Sequence, residues 1–246
     1  MQLVWQDNFD YTGPPDSTKW EAQTGGHGWG NNELQFYTES GNAWVENGKL
    51  IIEARREDME GKEVTSARLR TRGMGDWQYG RIEARARLPK GLGVWPAIWM
   101  MPSFAAPINS ETNRPKWPDC GEIDIMEHVA YMENTVHATV HTGAYNHIKR
   151  TQRGGKTVIA DITDEFHLYS VEWDARKMVF RVDDEIIFTY APWEDGGEVT
   201  DAQWPFDKPF HLIVNLAFGG NWGGAKGVDM SVLPARFEID YVRVYQ

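Results

Sequence analysis

Along most of this chain, apolar and polar residues trade places one by one over short runs. Gly, Pro, Asn and Asp punctuate the runs, the mark of strands joined by turns. Positions 79–88 put Ile82, Ala84, Ala86 and Leu88 on one face and Arg81, Glu83, Arg85 and Arg87 on the other. Runs 43–46 and 49–53 flank Asn47-Gly48, a strong hairpin signal because both residues tolerate positive φ. Further strands are expected at 65–72, 135–142, 166–173, 210–217 and 235–245, with a hairpin at Asp183-Asp184. Positions 93–101 are almost continuously apolar, as in a strand covered on both faces. In the last run Phe237, Ile239 and Tyr241 share a face, but beyond Tyr241 the alternation blurs into Val242 and Val244. No window carries a 3.6-residue amphipathic period. The expectation is an all-β fold, an antiparallel sandwich of the jelly-roll kind.

Two segments stand outside that pattern. Residues 103–118 are rich in Pro and Asn and read as a surface loop. Residues 219–224 form a Gly-rich loop around Trp222; without a Gly-Lys-Ser/Thr ending it offers no phosphate cradle. With no repeat and no long linker, residues 1–246 are expected to form a single domain.

The alternation breaks once in a way that carries chemistry. In Gly121-Glu122-Ile123-Asp124-Ile125-Met126-Glu127-His128, Glu122 and Asp124 point to one face. Strict alternation would give the next place on that face to Met126. One extra residue, a β-bulge near Ile125-Met126, returns Glu127 to its two partners. Three acids on one face repel one another and lose hydration, so a structural reason for them is hard to find. Glycoside hydrolysis has one: a carboxylate that acts as nucleophile or base, and a carboxylic acid kept protonated near neutral pH.

Composition narrows the partners. A formal net charge of −11 argues against nucleic acid and anionic membranes, and no stretch is long and apolar enough for a membrane helix. A neutral polymer remains compatible. Cys120 is the sole cysteine, so no intramolecular disulfide frames the fold. The first residues show no signal peptide, so an exported protein would be a mature segment here; the expected location is extracellular and the expected state a monomer. Twelve tryptophans suit stacking on sugar rings, with about half expected in the core.

The next strand carries His137 and His141 on one face and is expected to pair with the acidic strand, bringing a histidine to Glu127 or a sugar hydroxyl. A zinc site built on both histidines fails, because i,i+4 on a strand separates them by roughly 13 Å. Trp95 and Trp99 share a strand face just before the acids, and Trp117, next to the loop, is placed to reach a ligand.

These residues resemble glycoside hydrolase family 16, and the laminarinase-like members in particular. The bulged Glu-x-Asp-x-x-Glu signature matches, as do Gly30-Asn31-Asn32-Glu33-Leu34-Gln35, Ser66-Ala67-Arg68-Leu69 and Tyr79-Gly80-Arg81-Ile82-Glu83. So do Trp95-Pro96-Ala97-Ile98-Trp99, Val140-His141-Thr142-Gly143 and Asp240-Tyr241-Val242-Arg243-Val244, which together cover nearly the whole chain. The resemblance implies a jelly roll of two curved antiparallel sheets with a concave substrate cleft. It implies a retaining endo-β-1,3-glucanase acting on laminarin-type glucan, possibly also mixed β-1,3-1,4-glucan. Glu122 then corresponds to the nucleophile, Glu127 to the general acid/base, and Asp124 to the carboxylate between them. His141 falls at a polar position near the acid/base. Asn31 and Arg72 match cleft residues that bind sugar hydroxyls, and Trp117, Asn215 and Trp222 match more loosely. A structural Ca²⁺ is implied at Asn8, Gly48 and Asp240, a set of hard oxygen donors.

Overall fold

The computed structural model describes residues 1–104 and 115–246. Two sheets stack face to face, one of ten strands and one of eight. The larger runs in the order Glu185–Tyr190, Met178–Val182, His167–Trp173, Gly80–Arg87, Ala235–Tyr245, Lys49–Met59, Lys62–Ser66 and Gln35–Tyr37. Leu3–Asp7 adds to Ala235–Tyr245, and Ala43–Glu46 adds to Lys49–Met59. The smaller sheet runs Arg153–Val158, Thr135–His141, Glu122–Glu127, Val94–Pro102, Phe210–Phe218, Arg68–Arg70 and Glu21–Ala22, with Asp76–Trp77 beside Phe210–Phe218. Pairing is antiparallel throughout, except between Gln35–Tyr37 and Lys62–Ser66.

The expected sandwich is present, and the Asn47-Gly48 turn has φ of 53° and 71°, the positive pair that a two-residue hairpin requires. Ile82, Ala84, Ala86 and Leu88 all enter the core, beside Phe180, Phe210, Phe218 and Phe237. The blurred end of the last strand has a physical cause. Register slips between Ile239 and Tyr241, so the inward set changes from Phe237 and Ile239 to Val242 and Val244.

Three expectations need correction. Residues 65–72 form two strands rather than one: Lys62–Ser66 lies in the larger sheet and Arg68–Arg70 in the smaller, with buried Ala67 at the crossing. The apolar run at 93–101 is covered on both faces only as far as Ile98; beyond it Trp99 and Met101 are half-buried, and Trp95, Ala97 and Trp99 floor the face of the smaller sheet away from the main core. The Gly-rich loop includes a single helical turn, Gly220–Gly223. Most of the loop expected at 103–118 falls outside the described residues.

Candidate active site

The bulge lies where the alternation required it. Against Thr135–His141, Glu122 pairs with His141, Asp124 with Thr139, and Glu127 with His137, so one strand spends an extra residue between Asp124 and Glu127. The neighbour on the other side agrees, pairing Trp99 with Asp124 and Ile98 with Met126. Ile125 and Met126 both enter the core, leaving Glu122, Asp124 and Glu127 on the open face. Strand pairing then sets neighbouring rows across that face. Lys156, His137, Glu127, Ala97, Asn215 and Arg68 form one row; Thr139, Asp124, Trp99 and Ile213 form the next.

No Lys or Arg forms an ion pair with any of the three acids among the described residues. His141 alone approaches, its Nε2 lying 3.4 Å from Asp124 Oδ2 and 3.8 Å from Glu122 Oε1. Burial pushes Asp124 well above the usual carboxylate range, and the charge and hydrogen bond of Glu122 push the same way. Burial also drives Glu127 well up, followed by the charge of Asp124 and then Glu122. His141 and a hydrogen bond from Trp95 oppose that rise. The tip of Glu127 is partly open to solvent although its surroundings are dense. Trp95 Nε1 donates to Glu127 Oε1 at 3.1 Å, which reserves that oxygen as an acceptor and leaves the proton to Oε2.

The structure brings most of the expected residues to this face, often in unexpected roles. Trp95 is 9% exposed and packs edge-on against Trp222, with ring centroids 5.5 Å apart. Trp222 in turn meets His137, so the helical turn of the Gly-rich loop walls the Glu127 end. Trp99 Nε1 donates to Asn215 Oδ1 at 2.7 Å, and Asn215 Nδ2 donates to Tyr37 Oη at 3.0 Å. The amide of Asn215 is therefore committed to holding Trp99. Trp117 lies by His141 and His147, 5.9 and 5.0 Å between centroids, with its buried N–H unpartnered among the described residues. His141, expected near the acid/base, pairs with Glu122 while its charge still acts on Glu127; the histidine directly across from Glu127 is His137. Burial, then Lys156 and His128, pushes the His137 imidazole down to about 4, so it is neutral at physiological pH.

Asn31 and Arg72 lie further out. Asn31 Nδ2 donates to Glu33 Oε1 at 3.3 Å and Arg72 Nε donates to the Ser103 carbonyl at 2.8 Å. The Asn31 carbonyl accepts from Asn221 N, and Asn32 Nδ2 donates to Asn221 Oδ1, so this loop is stitched to the Gly-rich one.

Sequence reasoning passed over the support beneath this end of the face. Arg68 lies over both Trp29 and Trp99, 4.6 and 4.7 Å from their centroids, and its Nε donates to Gln23. Glu33 is buried and accepts from Gln35 Nε2 at 2.6 Å and Tyr37 Oη at 3.1 Å. A chain Glu33, Tyr37, Asn215, Trp99 thus fixes the floor. The partners are far apart in sequence, and only their shared motif membership hinted at them.

The residues expected around calcium lie on adjoining stretches of chain, where Asn8 Oδ1 already accepts from Arg243 Nε and Nη2 at 3.2 and 3.0 Å. On one side of Ala235–Tyr245, Lys49–Met59 pairs as far as Ile239 and Leu3–Asp7 begins pairing at Val242. Asn8 and Gly48 extend those two strands toward the junction, opposite the bulge that holds Asp240. Arg85 Nη1 takes Asp240 Oδ2 at 2.6 Å, and Asp240 Oδ1 carries no hydrogen bond among the described residues. One carboxylate oxygen and nearby main-chain carbonyls fit a hard cation, with little charge to spare.

With this geometry in view, residues 30–243 match the model described as glycosyl hydrolases family 16. The β-glucanase of Rhodothermus marinus is 52% identical over 252 residues, covering 100% of this chain and 85% of its own length. The X-ray structure of the laminarinase from Rhodothermus marinus superposes with a TM-score of 0.94 at 52% identity, covering 100% of this chain and 97% of that one. A mutant of SCLam, a non-specific endo-β-1,3(4)-glucanase co-crystallised with 1,3-β-D-cellotriosyl-glucose, superposes at 0.90 with 45% identity, covering 100% and 94%.

Proposed function

The chain belongs to family 16 of the glycosyl hydrolases, and from that premise we propose how its open face does chemistry. The protein is an endo-acting β-1,3-glucanase of the laminarinase kind that works by double displacement. The carrying observation is the bulge that sets Glu122 and Glu127 on one face with no basic side chain paired to either. Glu122 attacks the anomeric carbon while Glu127 gives the proton on Oε2 to the departing glucosyl oxygen. In the second half, Glu127 takes a proton from water as that water releases the sugar from Glu122. Asp124 shares a hydrogen bond with Glu122, and burial, followed by the charge of Asp124, keeps Glu127 protonated.

Hydrolysis of mixed β-1,3-1,4-glucan as well belongs to the same reading, supported by the breadth of SCLam. The test is sugar release from laminarin, lichenan, agarose and carrageenan in parallel, with anomeric configuration followed by NMR. Retained product from laminarin is expected; product from agarose or carrageenan alone, or an inverted first product, overturns it. Two further proposals rest on separate grounds. Calcium at Asp240, Asn8 and Gly48 is structural, and a melting temperature unchanged by EDTA would count against it. An extracellular location follows from a polymeric substrate too large to enter a cell.

A further inference from the structure

The catalytic face holds a second kind of site, made by geometry alone. His141 Nε2, Asp124 Oδ2 and Glu122 Oε1 offer one donor atom each, and a ligand atom from each residue lies within 4.8 Å of the other two. Donors on one metal ion at roughly 2.0–2.2 Å must lie within about 4.4 Å of one another, so small side-chain shifts close the set. Asp124 is 3% exposed, and its Oδ2 has no hydrogen-bond partner among the described residues although it faces the imidazole. An unmet buried oxygen beside a ring nitrogen is what a bound cation would satisfy. We propose that a divalent cation of borderline softness, Zn²⁺ or Cu²⁺, binds Glu122, Asp124 and His141 and thereby inhibits hydrolysis.

The donor chemistry selects the ion. One imidazole and two carboxylates suit zinc or copper, whereas Mg²⁺ and Ca²⁺ prefer six or more oxygens. Glu122 is the most open of the three, its side chain 17% exposed, so water can complete the coordination. The histidine pair that sequence spacing excluded is not needed, because His137 stays in the row of Glu127. Arg68 feels the charge of Glu122 without forming an ion pair with it, and is pinned over Trp29 and Trp99. The other histidine flanked by acids, His167, holds Asp183 on Nδ1 and Asp161 on Nε2. Its carboxylates lie at opposite ends of the ring and cannot meet on one ion.

Binding needs no assumption about the reaction; inhibition rests on Glu122 being the nucleophile. Calorimetry with zinc chloride in a phosphate-free buffer, without sugar, should show one site on the intact protein. H141Q should weaken it by at least about tenfold, since even second-sphere changes cost 10–100-fold. E127Q should bind zinc within about twofold of the parent while losing hydrolysis, and melting curves should report zinc-dependent stabilisation in E127Q but not in H141Q. No zinc uptake by the parent protein, or H141Q binding as the parent does, overturns the site. Zinc uptake with unchanged laminarin turnover overturns the inhibition. Failure to hydrolyse laminarin in metal-free buffer would strike the glucanase reading and leave the zinc result standing.

Discussion

The two outer faces of the sandwich carry acids in opposite company. Along the middle of the larger sheet, outward acids have cations: Glu53 holds Arg55 and Arg236, Glu238 holds Lys49 and Arg87, and Asp240 holds Arg85. Glu83 and Glu172 share Arg81, and Phe166 lies beneath Lys49, Arg85 and Arg87. On the smaller sheet, Glu122, Asp124 and Glu127 form no such ion pair with Lys or Arg among the described residues; His141 approaches the first two and the Trp95 indole N–H binds the third. The same residue type therefore stabilises one face and strains the other. A carboxylate with a guanidinium stays charged and quiet. A carboxyl that is buried, with other carboxyls near it and no guanidinium paired to it, is held neutral at pH values where it would ordinarily ionise, and so can give a proton to substrate.

The sharpest way to break this contrast is E122A. Activity should fall by about four to six orders of magnitude with the fold intact, and azide should restore turnover as a glycosyl azide of inverted configuration. Turnover near the parent level would remove Glu122 from its role.

Next comes D124N, which tests the strain directly. Folding raises the Asp124 pKa, so above the ordinary carboxylate range the folded chain binds more protons than the unfolded one. Stability is then lost as pH rises, and the asparagine escapes that loss. At about pH 8 the variant should melt higher by roughly 2–4 °C, the equivalent of about 1 kcal/mol, and the gain should vanish near pH 4. Activity should drop at the same time, a trade expected where function needs strain. A lower melting temperature at the alkaline end would contradict the contrast.

R236A probes the quiet face. It removes one of two guanidinium groups on Glu53, which is 5% exposed. A fall of roughly 2–4 °C in melting temperature, about 1 kcal/mol, is expected with kcat and KM unchanged. Stabilisation here would erase the distinction between the faces.

The subtlest change is W95F. The indole hydrogen bond favours the charged form of Glu127, so its loss should raise the pKa further. The alkaline limb of the kcat/KM profile should then move upward, with melting scarcely altered. A downward move would mean that Trp95 does not hold Oε1.

How much of this was legible beforehand depended on distance along the chain. The interrupted alternation of Glu122 to Glu127 announced its bulge, because the need to bring a third acid round is a local matter. The same signature at Ile239–Tyr241 was visible only as blurring, since no functional residue demanded a particular phase. Which of His137 and His141 faces which acid was not legible, because a bulge shifts the pairing of everything beyond it and which strand yields cannot be read from either strand alone. Arg153–Val158 was missed because an edge strand of Arg, Gly, Gly, Lys and Thr has no apolar face to betray it. The props under the floor, Glu33 to Tyr37 to Asn215 to Trp99, join residues up to 178 positions apart and exist only once both sheets close.

The extra residue in the acidic strand also bears on ancestry. A one-codon deletion at Ile125 would leave Glu122-Ile123-Asp124-Met126-Glu127 in plain alternation, with all three acids on the face they already share and one apolar residue fewer beneath them. The kinked and the straight versions of this strand are thus a single deletion apart, and a lineage can cross between them while every acid keeps its side of the sheet.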